Sequence, residues 1–329
     1  RRCGAVPCSS IPAITHTIMV TRGGRPGGMV NAGMTPDEQR WLDCAAHMSA
    51  AAKVAALPLY GTAAGRVVLQ RGAGGDRTLE IDQACESAMV AVLEAEAPAP
   101  YALVSEELGI VGSDDAPWRV VVDPLDGSLN AKRGLEPFGS SIAVANGGTL
   151  DDVTVGYIED YTRPRCFAAV RWAGLLLAGS PPQAGAPPPG RAVLDTHRFE
   201  SDRVEIVFLE AGRPDLHHFD YHDLSAMGAV GHSQDMRIRQ IGSLALSLCL
   251  VATGVADILV AAVRSRSVDI AAGLLILTEA GGGAAALTPG GLWTQPLDLE
   301  KRSAFVAWRA GLDGDEVISR GSELARTLL

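Results

Sequence analysis

The spacing of apolar residues predicts that regular structure begins near residue 35 and starts with helices. Two Ala-rich amphipathic segments, 35–57 and 78–95, have the period of a helix. The β-branched runs at 101–105 and 119–122 have the length and composition of buried strands. The stretch 58–70 fits either an extended segment or a further helical turn. The first part of the chain is therefore expected to pass from helices into a sheet.

The start of the first helix is marked by its own residues. Thr35 is a favoured cap, Pro36 suits the first helical position, and Asp37 and Glu38 place negative charge in the first turn. Residues 1–33 are rich in Gly, Arg and Pro, and their apolar run is too short for a signal peptide. We expect them to form a disordered N-terminal extension.

The later segments predict two kinds of sheet. Strands near 140–146, 153–159 and 165–171 are joined by short turns and indicate an antiparallel meander. Farther along, strands alternate with helices, which predicts a partly parallel sheet covered by helices. These later elements are the strands near 204–209, 257–262 and 303–308 and the helices near 243–253, 269–280 and 314–328.

A Gly- and Pro-rich stretch at 179–190 divides the chain into two roughly equal parts. We expect an N-terminal α+β domain at 34–185 and a C-terminal α/β domain at 186–329. The first would carry a metal site, and the second would complete a substrate site.

Composition and charge narrow the function. The chain has 329 residues, 47% of them hydrophobic and 20% charged, which is typical of a globular protein. Its net charge of −10 and pI near 5.2 argue against a nucleic-acid partner. The six cysteines include no Cys-x-x-Cys pair, so neither a zinc site nor a disulfide framework is indicated. Reduced thiols and a cytoplasmic location are expected.

One apolar run, 244–262, is the sole candidate for a membrane span. Gly254 and Asp257 interrupt its second half. A buried helix followed by a buried strand accounts for the run better, so no membrane partner is expected.

The most informative stretch is 120–130. A run of valines leads into the hexapeptide 123–128, an Asp-Pro-Leu-Asp-Gly-Ser turn. Pro124 fixes φ and Gly127 allows a conformation closed to other residues, so the turn is stiff and specific. Its two carboxylates suit a hard cation such as Mg²⁺, while the N–H groups and hydroxyl of Gly127 and Ser128 suit an anion. Metal-assisted phosphate hydrolysis requires both features side by side. Taken alone, the same residues also describe an ordinary Asp- and Gly-containing turn.

Three further acids each have a functional and a structural interpretation. Glu106 follows a strand and would meet Asp123 if their two strands end at the same edge of a sheet; otherwise it is a solvent-facing acid. Asp269 opens an apolar helix, and Asp82 lies at the start of another. Each is a favoured N-cap as well as a candidate metal ligand.

Basic and histidine-containing segments add further candidates. Gly242 and Ser243 precede a helix, and the free N–H groups at a helix start suit phosphate. The alternative interpretation of these two residues is a plain loop-to-helix junction. The segment around them carries several arginines, and arginine suits phosphate, although some are expected to be solvated charges. These are Arg237, Arg239, Arg264 and Arg266. The histidines at 217–222 lack a complete ligand pattern and are interpreted as a polar surface segment.

Several of these blocks resemble the signatures of one family, the Mg²⁺-dependent, lithium-sensitive inositol monophosphatase and fructose-1,6-bisphosphatase superfamily. The matching blocks are 105–107, 123–130 and 268–282. The sequences of 72–82 and 152–157 look most like those of the archaeal-type dual enzymes. The resemblance covers about residues 35–329. It implies a layered α-β-α-β-α sandwich of the sugar-phosphatase type, usually dimeric.

The resemblance also implies roles for individual residues. The implied ligands of two or three Mg²⁺ ions are Glu106, Asp123, the Leu125 carbonyl, Asp126 and Asp269. The implied substrate-binding residues are Asp126, Gly127, Ser128, Gly242, Ser243 and Arg264. The implied catalytic residues are Asp82, Glu106 and Ser128, with Ser128 touching the attacking water and Asp82 helping a further metal or that water.

Departures from the family pattern bear on the substrate. Ala262 stands where animal inositol monophosphatases have a Glu that holds inositol hydroxyls, and arginines follow it. This favours a more anionic substrate, such as a sugar bisphosphate. Val268 replaces a frequent Trp without expected consequence, and Glu136 interrupts the usual Gly-x-Pro-Phe stretch, so that loop is expected to differ.

The prediction is hydrolysis of a small phosphate monoester, fructose 1,6-bisphosphate or inositol monophosphate or both, by a metal-activated water. A phosphatase acting on 3′-phosphoadenosine 5′-phosphate or another small metabolite is the alternative within this class. A non-catalytic regulator that binds a metal or phosphometabolite is the alternative from a different class. A dinucleotide-binding oxidoreductase is excluded because no strand is followed by Gly-x-Gly-x-x-Gly.

Overall fold

Two mixed β-sheets and three layers of helices make up the part of the chain described by a computed structural model. The described residues are 34–113, 115–179, 203–210, 236–287 and 291–328, without the side chains of 176–179, 263–264 and 322–328. The extension at 1–33, most of the Pro-rich stretch and the histidine segment therefore lie outside the described residues.

The first helices and strands lie close to their predicted positions. Thr35 caps the first helix, and its hydroxyl and the Glu38 carboxylate form a capping box. The helices of this half are α1 (Pro36–Ala56), α2 (Glu80–Glu96) and α3 (Ser128–Arg133). Its strands are β1 (Val68–Arg71), β2 (Arg77–Leu79), β3 (Tyr101–Ser105), β4 (Gly109–Gly112), β5 (Trp118–Asp126), β6 (Gly139–Ala145), β7 (Val153–Asp160), β8 (Arg165–Val170) and β9 (Gly174–Gly179).

The later elements follow the predicted alternation of strands and helices. The strands are β10 (Ile206–Glu210), β11 (Arg237–Arg239), β12 (Ile258–Ser265), β13 (Gly283–Ala286) and β14 (Ser303–Trp308). The helices are α4 (Leu244–Ala252), α5 (Ser267–Glu279) and α6 (Gly314–Leu328).

Both predicted kinds of sheet are confirmed. The seven-stranded sheet has the order β4-β3-β5-β6-β7-β8-β9, and the strands from β5 to β9 pair antiparallel as a meander. The five-stranded sheet has the order β11-β10-β12-β14-β13, in which β10 runs parallel to both of its neighbours. A separate hairpin pairs β1 with β2.

The layers follow from which face of each strand is apolar. In β5, Val120 and Val122 pack with α1 and α2, while Val121 faces the opposite side. On that side, α4 and α5 fill the space between the two sheets, and α6 covers the outer face of the five-stranded sheet. The order is therefore α-β-α-β-α, as the resemblance implied.

Several boundaries and elements differ from the predictions. The segment 58–70 resolves into a 3₁₀ turn at Ala64–Arg66 and the strand β1. The short helix α3 and the edge strands β4, β9, β11 and β13 were not predicted. The edge strands are three to six residues long, and so short a run gives too few positions to show a period.

No described helix is long and apolar enough to cross a membrane. The candidate run 244–262 is divided between α4 and β12, as predicted from Gly254 and Asp257. The four cysteines within the described ranges, Cys44, Cys85, Cys166 and Cys249, form no disulfide bond with one another.

Candidate active site

The edge formed by β3 and β5 brings the first two predicted acids together. The two strands are parallel, and Ser105 pairs with Val122 across the ladder. The next residues along each strand are Glu106 and Asp123, so they emerge side by side. In β5, alternation of side chains places Asp123 on the same face as Val121, towards the central helices.

The third acid comes from the start of α5, which packs against this face of the sheet. Asp269 was predicted as the helix N-cap, and that is wrong: α5 begins at Ser267 and its N-cap is Arg266. Asp269 lies in the first turn and accepts a hydrogen bond of 2.9 Å from the Arg266 backbone N–H. One carboxylate oxygen thus completes a capping interaction and directs the side chain towards the sheet edge.

Glu106, Asp123 and Asp269 each offer a carboxylate oxygen, and these oxygens lie within 4.8 Å of one another. Within the described ranges, no other group of three His, Cys, Asp or Glu residues converges in this way. Hard oxygen ligands with the same charge, gathered in one partly buried place, fit a divalent cation such as Mg²⁺.

Burial and mutual repulsion favour the protonated forms of two of these carboxyl groups, those of Glu106 and Asp123, in the absence of a cation. Burial raises the pKa of Glu106 to about 8, opposed by Arg266 and assisted by Asp269 and Glu107. Burial also raises the pKa of Asp123 well above its usual range, with further contributions from Glu106, Asp126 and Asp269. A bound cation would reverse this preference, because it favours the ionised carboxylates.

Arg266 lies within the same cluster. Its Nη2 donates to Glu106 Oε1 at 2.6 Å and to Asp269 Oδ1 at 3.1 Å. Its Nη1 lies 3.4 Å from Asp76 Oδ2, on the turn between β1 and β2. From the sequence, Arg266 was grouped with three other arginines as a phosphate-binding candidate, and its contacts with acidic residues were not predicted. Its position three residues before Asp269 was the available signal.

Asp126, the fourth predicted acid, is held at the N-terminus of α4. It accepts hydrogen bonds from the Ser243 hydroxyl, from the Ala245 N–H at 2.9 Å and from the Leu244 N–H at 3.2 Å. Burial raises its pKa to about 7, opposed by the Ser243 hydrogen bond and assisted by Asp269. Asp126 thus lies next to the three-acid group while serving as a cap for a helix.

The predicted phosphate-binding pair at the start of α4 already has partners within the protein. The Gly242 N–H donates to Glu210 Oε1 at 3.2 Å, and Ser243 donates its hydroxyl to Asp126. Glu210 is buried at the end of β10 and also accepts from the Ser247 hydroxyl. Glu210 was not predicted as a site residue, although an acid at the end of a buried strand could have indicated it.

Asp82 and Ser128 lie together on the other side of the turn. Asp82 was interpreted as an N-cap, but it is in the first turn of α2, whose N-cap is Leu79. Its Oδ2 accepts from the Leu79 N–H at 2.8 Å, and its buried Oδ1 has no partner. Burial raises the pKa of Asp82, and the Leu79 N–H and the nearby Ser128 hydroxyl oppose the change.

The backbone of the turn has the conformation that its sequence demands. Gly127 has φ of 88° and caps α3, and Ser128 donates its hydroxyl to the Leu125 carbonyl at 2.8 Å. The Leu125 N–H donates to Asp123 Oδ1 at 2.9 Å, which orients that carboxylate. Arg264 lies on β12, and its side chain is outside the described part of the chain.

Comparisons with known proteins identify relatives of this chain. A model of the inositol monophosphatase family matches residues 39–318. The chain is 30% identical over 254 residues to a fructose-1,6-bisphosphatase/inositol-1-monophosphatase of Methanothermobacter thermautotrophicus, covering 74% of this chain and 82% of the relative. It is 31% identical over 208 residues to the Nus factor SuhB of Pasteurella multocida, covering 63% of this chain and 70% of the relative.

The fold has a close counterpart among solved structures. A crystal structure of an inositol monophosphatase–fructose 1,6-bisphosphatase superimposes with a TM-score of 0.67 and 21% identity, covering 86% of this chain and 99% of the other. This likeness confirms the predicted layered sandwich.

Proposed function

Because the chain belongs to the inositol monophosphatase family, we propose that it hydrolyses a small phosphate monoester with the help of bound Mg²⁺. Inositol-1-monophosphatases and fructose-1,6-bisphosphatases are phosphoric monoester hydrolases, and the family assignment confirms the prediction of an enzyme of this class. The substrate, the number of ions and the roles of individual residues are our proposal.

One observation carries the proposal. Three carboxylates from separate elements, a strand end, a strand and a helix start, converge within 4.8 Å although Asp269 is far from the other two in sequence. Burying these acids and gathering their like charges costs free energy in the absence of a cation, and the raised pKa values of Glu106 and Asp123 express that cost. A fold that maintains such a cluster is suited to holding a divalent cation there.

The proposed ligands are Glu106, Asp123, Asp269, the Leu125 carbonyl and Asp126. Two or three Mg²⁺ ions held there would activate a water molecule and neutralise charge on the phosphate. Asp126 would join this set only through an oxygen that also accepts from the start of α4. Its double engagement would tie the geometry of the metal site to the position of that helix.

The remaining proposed roles belong to Asp82, Gly127 and Ser128. The unpartnered Oδ1 of Asp82 is available to accept a proton from water, and its neighbour Ser128 would orient that water. The backbone N–H groups at Gly127 and Ser128 begin α3 and would donate to phosphate oxygens. Gly242, Ser243 and Arg264 are proposed to border the substrate from the other side.

We propose fructose 1,6-bisphosphate as a substrate ahead of inositol 1-phosphate. Ala262 is buried on β12 and offers no group to an inositol hydroxyl. The relative from Methanothermobacter carries both activities in its name, which supports testing both substrates. A homodimer is proposed from the family resemblance alone.

The test is phosphate release from fructose 1,6-bisphosphate, inositol 1-phosphate and 3′-phosphoadenosine 5′-phosphate, with Mg²⁺ and with EDTA. We expect turnover of the first two that requires Mg²⁺. Asp123→Asn should lower kcat by about a hundredfold or more at saturating Mg²⁺, because several kcal/mol of transition-state stabilisation depend on the ions. Wild-type turnover by this variant would contradict the proposal.

Asp151→Asn is the matched control for that substitution. Asp151 is an exposed acid that pairs with Arg171. Both residues line a groove with Glu279, at the other end of α5 from Asp269 and roughly 15 Å away along the helix. This variant should turn over at the wild-type rate.

A non-catalytic regulator is the second candidate, and one comparison gives it a concrete form. The relative from Pasteurella is named as a Nus factor, a name that does not mention hydrolysis. The complete set of acids argues against a purely regulatory role for this chain. Absence of phosphate release from all three substrates, with Mg²⁺ binding retained, would favour the regulator.

A further inference from the structure

We propose that Arg266 is a built-in competitor of the metal: its guanidinium occupies the acidic cluster when no cation is bound and leaves when one binds. This inference rests on the metal site of the proposed function. It adds a specific consequence, namely that removing Arg266 should tighten cation binding rather than weaken it.

The contacts of the guanidinium carry the first step. Nη2 alone bridges Glu106 Oε1 at 2.6 Å and Asp269 Oδ1 at 3.1 Å, and Nε lies 3.3 Å from Asp269 Oδ2. Two of the three clustered carboxylates thus share one internal cation. A metal ion bound to these oxygens and a guanidinium donating to them would place two positive charges side by side, so each weakens the binding of the other.

Burial and charge carry the second step. The Arg266 side chain is 9% exposed, so its positive charge is partly desolvated and depends on these carboxylates for compensation. The same dependence runs the other way, because the guanidinium is the principal neighbour opposing the rise of the Glu106 pKa. In the metal-free protein, Arg266 therefore neutralises part of the negative charge that a bound cation would neutralise.

The third step concerns where the guanidinium goes. Its Nη1 already lies 3.4 Å from Asp76, whose side chain is 75% exposed on the turn between β1 and β2. Asp76 is not one of the clustered acids, so this contact survives when a metal takes Glu106 and Asp269. Rotation towards Asp76 keeps the arginine paired at a solvated place, which lowers the cost of displacement.

The turn that carries Asp76 is shaped to admit the guanidinium. The Gly74 N–H donates to the Glu106 carbonyl at 2.8 Å, and Arg302 donates to the Gly74 carbonyl at 3.3 Å. A Cβ on Gly74 would collide with the Arg266 guanidinium. The absence of a side chain at Gly74 therefore leaves room for the Arg266 guanidinium next to the backbone of Glu106.

The test is calorimetric titration of Mg²⁺ into metal-free wild-type protein, Arg266→Gln and Arg171→Gln. The glutamine at 266 should tighten Mg²⁺ binding by about tenfold, the equivalent of one lost hydrogen bond to a charged group. Arg171 is the matched control, since it is also a partly buried arginine paired with an aspartate but lies in the groove beside Glu279. Its variant should bind Mg²⁺ like the wild type.

A second measurement needs no loss of the side chain. The Nε–Hε resonance of Arg266, assigned through Arg266→Lys, should shift and lose protection from solvent exchange when Mg²⁺ is added to the wild-type protein. An unchanged resonance at saturating Mg²⁺, or equal or weaker binding by Arg266→Gln, overturns the inference. If the wild-type protein binds no Mg²⁺ at all, the metal site of the proposed function fails with it; if only Arg266→Gln fails to tighten binding, the inference about the arginine fails alone.

Discussion

Single carboxyl groups in this protein are held in an environment that opposes their usual ionisation. Asp123 is buried and has three acids as neighbours, and Glu106 also has three, namely Asp123, Asp269 and Glu107. Such an arrangement is tolerated because protonation, Arg266 or a cation relieves the repulsion, and each of these states has a measurable signature. At the scale of the residue, our proposals therefore describe a competition between three ways of neutralising the same oxygens.

The first prediction concerns the pH dependence of stability in EDTA. With a pKa of about 8 in the folded protein and an ordinary value of 4.5, Glu106 keeps a proton that the unfolded chain has released between these pH values. The free energy of unfolding should therefore fall as pH rises through this window and level off above about pH 8. Thermal unfolding in EDTA from pH 4 to pH 9 measures this trend.

Glu106→Gln is the matched control, because the amide has the shape of the protonated acid and does not titrate. Its Tm should fall less between pH 5 and pH 8 than that of the wild type. A wild-type Tm that rises over this window would contradict the assignment. Mg²⁺ binding at pH 7 should also release protons, which titration in buffers of different ionisation enthalpy detects.

Helix ends do the positioning at the scale of the element. Asp269 sits in the first turn of α5, Asp82 in the first turn of α2, and Asp126 accepts hydrogen bonds at the start of α4. In each case the carboxylate satisfies backbone N–H groups that the helix cannot satisfy itself. The same bond sets the direction of the carboxylate, so helix capping and site geometry are one arrangement.

The second prediction separates capping from chemistry. Asp126→Ala should lower the free energy of unfolding in EDTA by about 2 kcal/mol, because the N–H groups of Leu244 and Ala245 lose their acceptor. Asp126→Asn keeps one acceptor oxygen and should lose less. Urea denaturation in EDTA measures both variants.

Asp123→Asn provides the contrast for this measurement. Asp123 lies among like charges, so its neutral form should leave stability in EDTA unchanged or raise it while activity is lost. If Asp126→Ala unfolds at the wild-type urea concentration, Asp126 is not a cap of α4 in solution.

One central core joins the two halves of the chain at the scale of the whole molecule. The cluster between the sheets takes Val104, Val121 and Phe167 from the first half and Leu248, Ile276 and Phe305 from the second. The division at 34–185 and 186–329 stays a prediction about chain organisation. The shared core indicates that neither half buries its apolar surface without the other.

The third prediction follows from that shared core. Far-UV circular dichroism and tryptophan fluorescence should report one coincident urea transition. Ile276→Ala, at a fully buried position on α5, should shift both probes to lower urea by the same amount, corresponding to about 2–5 kcal/mol. Val54→Ala, at a position 74% exposed on α1, should shift neither.

Two transitions, with only one moved by Ile276→Ala, would show that the halves fold separately. That result would favour the division read from the Pro-rich stretch. It would also leave the metal site as the contact between two units, since Asp269 and Glu106 come from different halves.

Local rules explain what could be predicted from the amino-acid sequence. The N-cap at Thr35, the strands Tyr101–Ser105 and Ser303–Trp308 and the helix Gly314–Leu328 all lie where the sequence predicted them. Capping acts within one helical turn and side-chain alternation within one strand, so neighbouring residues determine both. The proximity of Glu106 and Asp123 was predicted for a related reason, because the carboxyl ends of parallel strands lie at the same edge of a sheet.

The partners of each carboxylate were decided only by the tertiary structure. Nothing near Asp126 in sequence indicates that it caps a helix beginning at Leu244, and nothing near Gly242 indicates Glu210. Arg266 sits inside the acidic cluster because α5 packs against the sheet. A buried polar group takes whichever partner the packed elements bring within reach, and distant packing is not encoded in any short stretch.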